Sequence, residues 1–245
     1  MSLFNRSVGI ELKKILIRKK YYVLLIIELV LAAVTVLFTS INGFAVLGFN
    51  MDLPSIPYII LNTLAVFVLP LIIFMLSADL FTNEIETGMI KAVLLRPLSR
   101  FKIFISKLIA IILYVFLHLI TICIVILAIK AVLGSPANML SIPAAYVITV
   151  YPMIAFISFS TLISLLVGNS SLAMFVSMII YFVMQGVTIV SAPVGAVFFT
   201  SHLNIYKMIL SGGLHTALPN NFLLILSYII LMSVAAFWLF DRKEL

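Results

Sequence analysis

The side chains able to do chemistry in this 245-residue chain are few, and most are set in apolar sequence. Glu28 is the only acid deep in an apolar run, eight residues beyond Lys20 or about 12 Å along a helix. Ala32, Thr35 and Thr39 share its helical face. A charge near a bilayer centre costs roughly 2.5–3.5 kcal/mol, so Glu28 must face protein or water, or be protonated. It lies either on a substrate path or subunit contact, or it reaches back to a basic residue at the interface. Ser177, Tyr181, Gln185 and Thr188 recur at steps of four, four and three. That polar stripe either lines a pathway or makes interhelical hydrogen bonds. Tyr114, His118 and Thr121 form a shorter row, where a lone histidine serves hydrogen-bonded packing or a proton relay. Glu84 and Glu86 are paired carboxylates that follow Asn83. The spacing predicts a helix start, with Asn83 as N-cap and Glu86 as its reciprocal acid.

Catalytic constellations are missing, and no enzyme is expected. His118, His202 and His215 do not fall in a His-Glu-x-x-His pattern, and no Gly-x-Ser-x-Gly elbow occurs. Gly43–Gly48 has the glycine spacing of a phosphate loop, but Phe49 and Asn50 stand where Lys and Ser or Thr are required. The chain cannot hydrolyse ATP by itself. Cys123 is the single cysteine, which excludes a disulfide framework and a paired thiolate metal site and leaves it to apolar packing.

These residues are held by six long apolar runs: Tyr21–Ile41, Tyr58–Ala78, Ile103–Ile129, Ala144–Val167, Leu172–Phe198 and Phe222–Phe240. With 64% hydrophobic and 9% charged residues, the composition is that of an integral membrane protein. Each run reaches the roughly 20 residues that span a bilayer core of about 30 Å. The expected fold is all-α, six transmembrane helices preceded by an amphipathic interfacial helix, in one domain over residues 1–245.

Charge fixes the expected orientation. Arg6, Lys13, Lys14, Arg18, Lys19 and Lys20 precede the first run; Lys91, Arg96, Arg100, Lys102 and Lys107 lie between the second and third; Arg242 and Lys243 follow the last. Six spans put all of these on one face, with only Lys130 and Lys207 opposite. Both termini are therefore placed in the cytoplasm, and the protein in the cell membrane. The net charge of +7 is a topology signal, and no soluble domain gathers it into a nucleic-acid surface. The apolar run after the basic start is too long for a signal-peptide core and has no small-x-small cleavage pattern, so it remains a span.

Residues 1–20 predict the interfacial helix, with Phe4, Val8, Leu12, Ile15 and Leu16 on one face and Arg6, Lys13 and Lys20 on another. Residues 79–102 are the most polar connection. A short helix from Asn83 is expected to stop near Leu95, because the residue before Pro97 avoids the helical region. Ile85, Met89 and Val93 share its face, more apolar surface than a solvated connection needs and what a docking surface would present. Between the fourth and fifth runs only Gly168–Ser171 remains. Within Phe199–Asn221, Ile205–Leu210 could dip back toward the membrane as a short helix.

Taken together, these features resemble the permease subunits of bacterial type-2 ABC exporters, whose ATPase is a separate polypeptide. The resemblance covers the whole length. Its most specific part is Asn83-Glu84-Ile85-Glu86-Thr87-Gly88-Met89-Ile90-Lys91, running to Leu95-Arg96-Pro97-Leu98-Ser99-Arg100. It implies that Glu84–Leu95, with Glu84, Ile85, Glu86, Gly88, Met89 and Val93, is a coupling helix resting on the ATPase, with Arg96 and Arg100 in the turn that follows. It implies that Gly168–Ser171, including Gly168 and Asn169, makes a second, smaller contact. A second permease copy or a paralogue would complete the pathway, lined by Ser177, Tyr181, Gln185 and Thr188 with Glu28 near its inner end. The segment after the fifth run would be a re-entrant outer gate. ATP and Mg would be bound by the partner subunit and no cofactor by this chain. Walls of Met, Phe, Ile and Val favour amphipathic peptides, or hydrophobic drugs or lipids, over small ions. Two other classes remain open: a secondary transporter or ion exchanger using Glu28 and His118, and a membrane anchor for a cytoplasmic enzyme.

Overall fold

The computed structural model describes residues 3–40, 56–94, 98–132, 140–210 and 218–243. Its helices are α1 (Leu3–Ile17), α2 (Lys19–Ser40), α3 (Ile56–Glu86), α4 (Met89–Leu94), α5 (Arg100–Val132), α6 (Ser141–Leu166), α7 (Ser170–Val190), α8 (Ile205–Leu210) and α9 (Leu218–Arg242). No strand occurs among the described residues. Six helices, α2, α3, α5, α6, α7 and α9, are long and apolar enough to cross a membrane. The protein is a multi-pass helical membrane protein. The 33 residues of α5 extend about 50 Å, well beyond a hydrocarbon core of about 30 Å, and the excess carries Arg100, Lys102 and Lys107 at its start.

The second span differs from the expected Tyr58–Ala78. It runs without interruption to Glu86, through two wide turns at Leu64–Val68 and Ala78–Thr82. Asn83 therefore lies inside the helix, with φ −64 and ψ −36, and does not cap it. The break falls instead at Gly88, whose φ of +71 is the left-handed conformation that glycine adopts at least cost. The Thr87 and Gly88 amides donate to the Asn83 and Ile85 carbonyls, closing α3 before α4 begins.

The first wide turn has a sequence cause. Pro70 has no N–H for the Val66 carbonyl four residues earlier, and its ring crowds that carbonyl. The Tyr181 hydroxyl from α7 donates to Val66 O in its place.

The fifth span ends earlier than the expected Phe198. Ser191 is extended, with φ −140 and ψ 100, just ahead of Pro193. A single helical turn, Ala192–Gly195, then folds back on α7. Gly195 sits so close that a Cβ there would lie 2.6 Å from the Thr188 Cα, so no larger residue fits without a shift. Residues 199–210 follow as a short 3-10 segment and α8, as the apolar pattern of Ile205–Leu210 suggested. Phe199, Leu203 and Tyr206 are buried against α6 and its neighbours.

At the centre of the bundle is α6, flanked by α3, α5, α7 and α9. Phe74 of α3 meets Phe156 and Phe159 of α6 and Tyr181 of α7 in one aromatic cluster. Phe81, Phe104, Phe237 and Phe240 form a second cluster near the charged end, where α9 finishes. By contrast α2, α7 and α9 are largely exposed along their apolar length, as helices facing hydrocarbon would be.

α1 packs on the bundle through a line that is mostly polar. Ser7, Glu11 and Ile15 are its buried line, packed on α5, while Leu12 and Leu16 are only partly buried. Glu11 and Ser7 turn inward because both find polar partners on α5, and the apolar stripe is displaced to one side of the contact.

Candidate functional site

Four charged side chains meet where α1, α3 and α5 converge. Lys107 Nζ donates to Glu84 Oε2 at 2.6 Å and lies 3.3 Å from Glu11 Oε2. Lys14 Nζ closes the ring from outside, at 2.8 Å from Glu84 Oε1 and 3.0 Å from Glu11 Oε1. Glu11, Glu84 and Lys107 are all buried. Beside them the Ser7 hydroxyl donates to Ser106 Oγ at 3.2 Å, and Ser106 donates to the Ile103 carbonyl. Two carboxylates alternate with two ammonium groups, so each buried charge is compensated in a region where an unpaired one would be costly.

A second ion cluster locks α2 to α3. Asp79 lies in the second wide turn and accepts from the Tyr21 hydroxyl at 2.5 Å. Arg18 and Lys20 approach the same carboxylate at 2.5 Å each. Sequence reasoning singled out neither Glu11, Lys107 nor Asp79. The available signal was Lys107 itself, a cation five residues inside an apolar helix, which requires an acid from another segment.

Glu84 is therefore buried and ion-paired within the chain. Glu86 is exposed and reaches sideways to the start of α7. Its Oε1 accepts from Asn169 Nδ2 and its Oε2 from the Ser170 amide, both at 3.1 Å. Asn169 in turn caps α7, its Oδ1 accepting from the Leu172 amide at 3.1 Å. A carboxylate at a helix N-terminus is favoured by the dipole and by the free amides there. The two connections read separately from the sequence thus meet, Glu86 on one side and Asn169 and Ser170 on the other.

In the first connection Met89 is 48% exposed, whereas Ile90 is fully buried and Ile85 packs partly on the core. Gly168 is exposed beside Asn169. Arg96 and the side chain of Val93 lie outside the described residues. Arg100 caps α9, its Nη1 donating to the Asp241 carbonyl at 2.6 Å. A cation at a helix C-terminus suits the exposed carbonyls and the dipole. Burial pushes the neighbouring Lys243 ammonium down from its ordinary range.

Deeper in the bundle, Glu28 of α2 and His118 of α5 are hydrogen-bonded through Oε2 and Nε2. Thr121, from the same sequence row, donates to the Leu117 carbonyl of its own helix. The stripe on α7 divides. Ser177 and Tyr181 are buried within this chain, Ser177 donating to Ala173 O and Tyr181 to Val66 O. Thr188 donates to Met184 O under the Gly195 turn. Within the stripe, Gln185 keeps a buried amide oxygen without a partner. The lower stripe is thus satisfied within α7 and by α3. Among the described residues no group of three or more His, Cys, Asp or Glu is placed to hold a metal ion.

The fold and these clusters define a six-span helical membrane protein with a rigid, ion-paired end. The chain belongs to a family described as a protein of unknown function (DUF2705), whose model matches residues 51–245 and so begins beyond α1 and α2. No curated protein matches the chain.

Proposed function

We propose that this chain is the membrane-spanning subunit of an ATP-driven ABC exporter, coupled at its charged end to a separate ATPase subunit. The observation that carries the reading is the surface built by Glu86, Asn169 and Ser170 with Met89 exposed beside it. An exposed methionine framed by polar groups is suited to docking. The surface is also stiff: Glu84, next to it, is tied to α1 and α5 through Lys14, Glu11 and Lys107. A partner that moves this surface would move three helices together, which is what transmission of a nucleotide-driven step requires.

In this reading the thirteen clustered cations lie in the cytoplasm of a cell-membrane protein, in keeping with the positive-inside rule. Two permease copies, or this chain and a paralogue, enclose a path for amphipathic peptides or for hydrophobic drugs or lipids. The largely exposed α7, with Gln185 unpaired, is the face offered to the second copy. ATP and Mg belong to the ATPase. The test is purification of the tagged chain from its native membrane in mild detergent. Co-purification of a stoichiometric subunit carrying a Gly-x4-Gly-Lys-Ser/Thr loop, with ATPase activity that changes when the chain is removed, supports the reading. A chain that purifies without any such subunit contradicts it.

A second reading rests on the buried Glu28–His118 pair, which suits an exchanger that moves protons. Proton-driven transport by the chain alone in vesicles free of ATP would favour it.

A further inference from the structure

Glu28 is 7% exposed and His118 is fully buried, yet each keeps one polar atom unmatched. Glu28 Oε1 and His118 Nδ1 are both buried without a hydrogen-bond partner. The imidazole thus engages the carboxyl group through one nitrogen, which holds Oε2 and leaves Oε1 open to another partner. Among the described residues no Lys or Arg pairs with Glu28. The nearby Tyr114 hydroxyl donates to the Tyr21 carbonyl.

Glu28 lines a cleft of about 240 Å³ between α2, α3 and α5, walled by Leu31, Ala32, Ile60, Leu64 and Ile122. Thr35 and Thr63 also border it, but their hydroxyls donate to the Leu31 and Ile59 carbonyls of their own helices. The cleft therefore offers one unmatched carboxyl oxygen, with two hydroxyl oxygens at its border, among walls that are otherwise carbon. Leu31 is 60% exposed and Ile59 is 38% exposed, so its mouth opens sideways between α2 and α3. That flank belongs to apolar lengths of two spans, where hydrocarbon would lie.

From this geometry we infer that the cleft binds a lipophilic cation: a protonated amine on an apolar body, entering from the bilayer and anchored by Glu28. A bare metal cation needs a shell of about six or more oxygens, and the lining, with one carboxyl group and two hydroxyls, supplies fewer. A protonated amine gives Oε1 an N–H partner and gives the walls carbon. The volume is below the roughly 300–1,000 Å³ of sites that enclose a whole drug-sized molecule. The cleft accepts the amine with a short chain or ring and leaves the remainder in the bilayer. This deepens the exporter reading by naming the cargo's charge and shape, while the site itself depends only on Glu28 and the cleft.

The test uses the full chain in nanodiscs of uncharged phosphatidylcholine, without ATPase or nucleotide. The probe is dansylcadaverine, a fluorescent amine on an apolar body; the control is its N-acetylated, uncharged derivative. Saturable binding of the amine is expected, with the acetylated probe weaker by about tenfold or more, the loss of one charge-assisted hydrogen bond. Glu28→Gln keeps shape and an acceptor for His118, and should weaken the amine by a similar factor without changing the acetylated probe. Ala32→Phe, which leaves the Glu28–His118 hydrogen bond intact, should fill the cleft and remove binding of both. Should Glu28→Gln fail to assemble, Ala32→Phe decides: lost binding at an unchanged unfolding midpoint supports the site, and retained binding overturns it. Equal affinity for both probes, or no saturable binding, also overturns it. Such a failure leaves ATPase coupling untouched, because no nucleotide is involved, and loss of the ATPase would leave this site standing.

Discussion

Lys107 and Glu84 come from different helices and meet at 2.6 Å, both out of reach of water. This contact fixes the start of α5 to the end of α3, and through Glu11 and Lys14 it also holds α1. The polar end of the protein is thus a ring of charge and not a loose connection.

The ring ranks its own variants. Lys107→Met removes the buried cation between Glu11 and Glu84 and leaves them sharing the partly exposed Lys14, and should cost about 3–5 kcal/mol, the range for breaking a buried pair. Glu84→Gln leaves Glu11 with both lysines and should cost less. Thermal unfolding in detergent checks the order: Lys107→Met lowest, Glu84→Gln intermediate, the unaltered chain highest. Equal midpoints for all three would mean that the ring contributes nothing.

Gly88 offers a cleaner test, because nothing lies within 4 Å of a Cβ added there. Any cost of Gly88→Ala is then the left-handed backbone alone, about 1–2 kcal/mol. Gly88→Asn should cost less, since asparagine tolerates that region. Unfolding midpoints that fall in the order Gly, Asn, Ala are expected, and a rise with alanine would show that the turn is not left-handed.

Much of this architecture is legible in the sequence, and the reason is length. Six apolar runs and the grouped cations announce six spans, and the helices fall where those runs lie. Partners across helices leave no such periodic mark. Asn83 followed by Glu86 has the spacing of a cap, yet α3 continues through both because its tip is held by Lys107 and Lys14. Tyr181 fits a polar stripe on α7, but its hydroxyl belongs to the carbonyl that Pro70 leaves without a donor. Both facts have sequence traces, a lone lysine in an apolar helix and a proline inside a span. Each trace says that a partner is needed without saying which one.

Asn169 separates helix capping from the contact with Glu86. Asn169→Asp keeps the acceptor for the Leu172 amide but sets a second carboxylate against Glu86. Asn169→Ala removes both the cap and the bond to Glu86, and should cost about 1 kcal/mol. The aspartate variant should therefore unfold near the unaltered midpoint yet weaken ATPase association. If both variants bind the ATPase as tightly as the unaltered chain, the Glu86–Asn169 contact has no part in docking.

Orientation follows from charge and is checked by labelling single cysteines in a Cys123→Ala background. Cysteine in place of Thr87, which is exposed at the charged end, should react only from the cytoplasmic side. Cysteine in place of Val194, which is 50% exposed at the opposite end, should react only from outside. Reversal at either position would turn the protein over and end the coupling proposal.

The central claim is that the charged end docks an ATPase, and a photo-crosslinking amino acid in place of Met89 tests it most directly. Irradiated in native membranes, this position should join the chain to a subunit whose sequence holds a phosphate-binding Gly-x4-Gly-Lys-Ser/Thr loop. The same reagent in place of Val194 should not. Cross-linking of such a subunit from Met89 alone is the predicted result; its absence from Met89, or equal capture from Val194, would contradict the account.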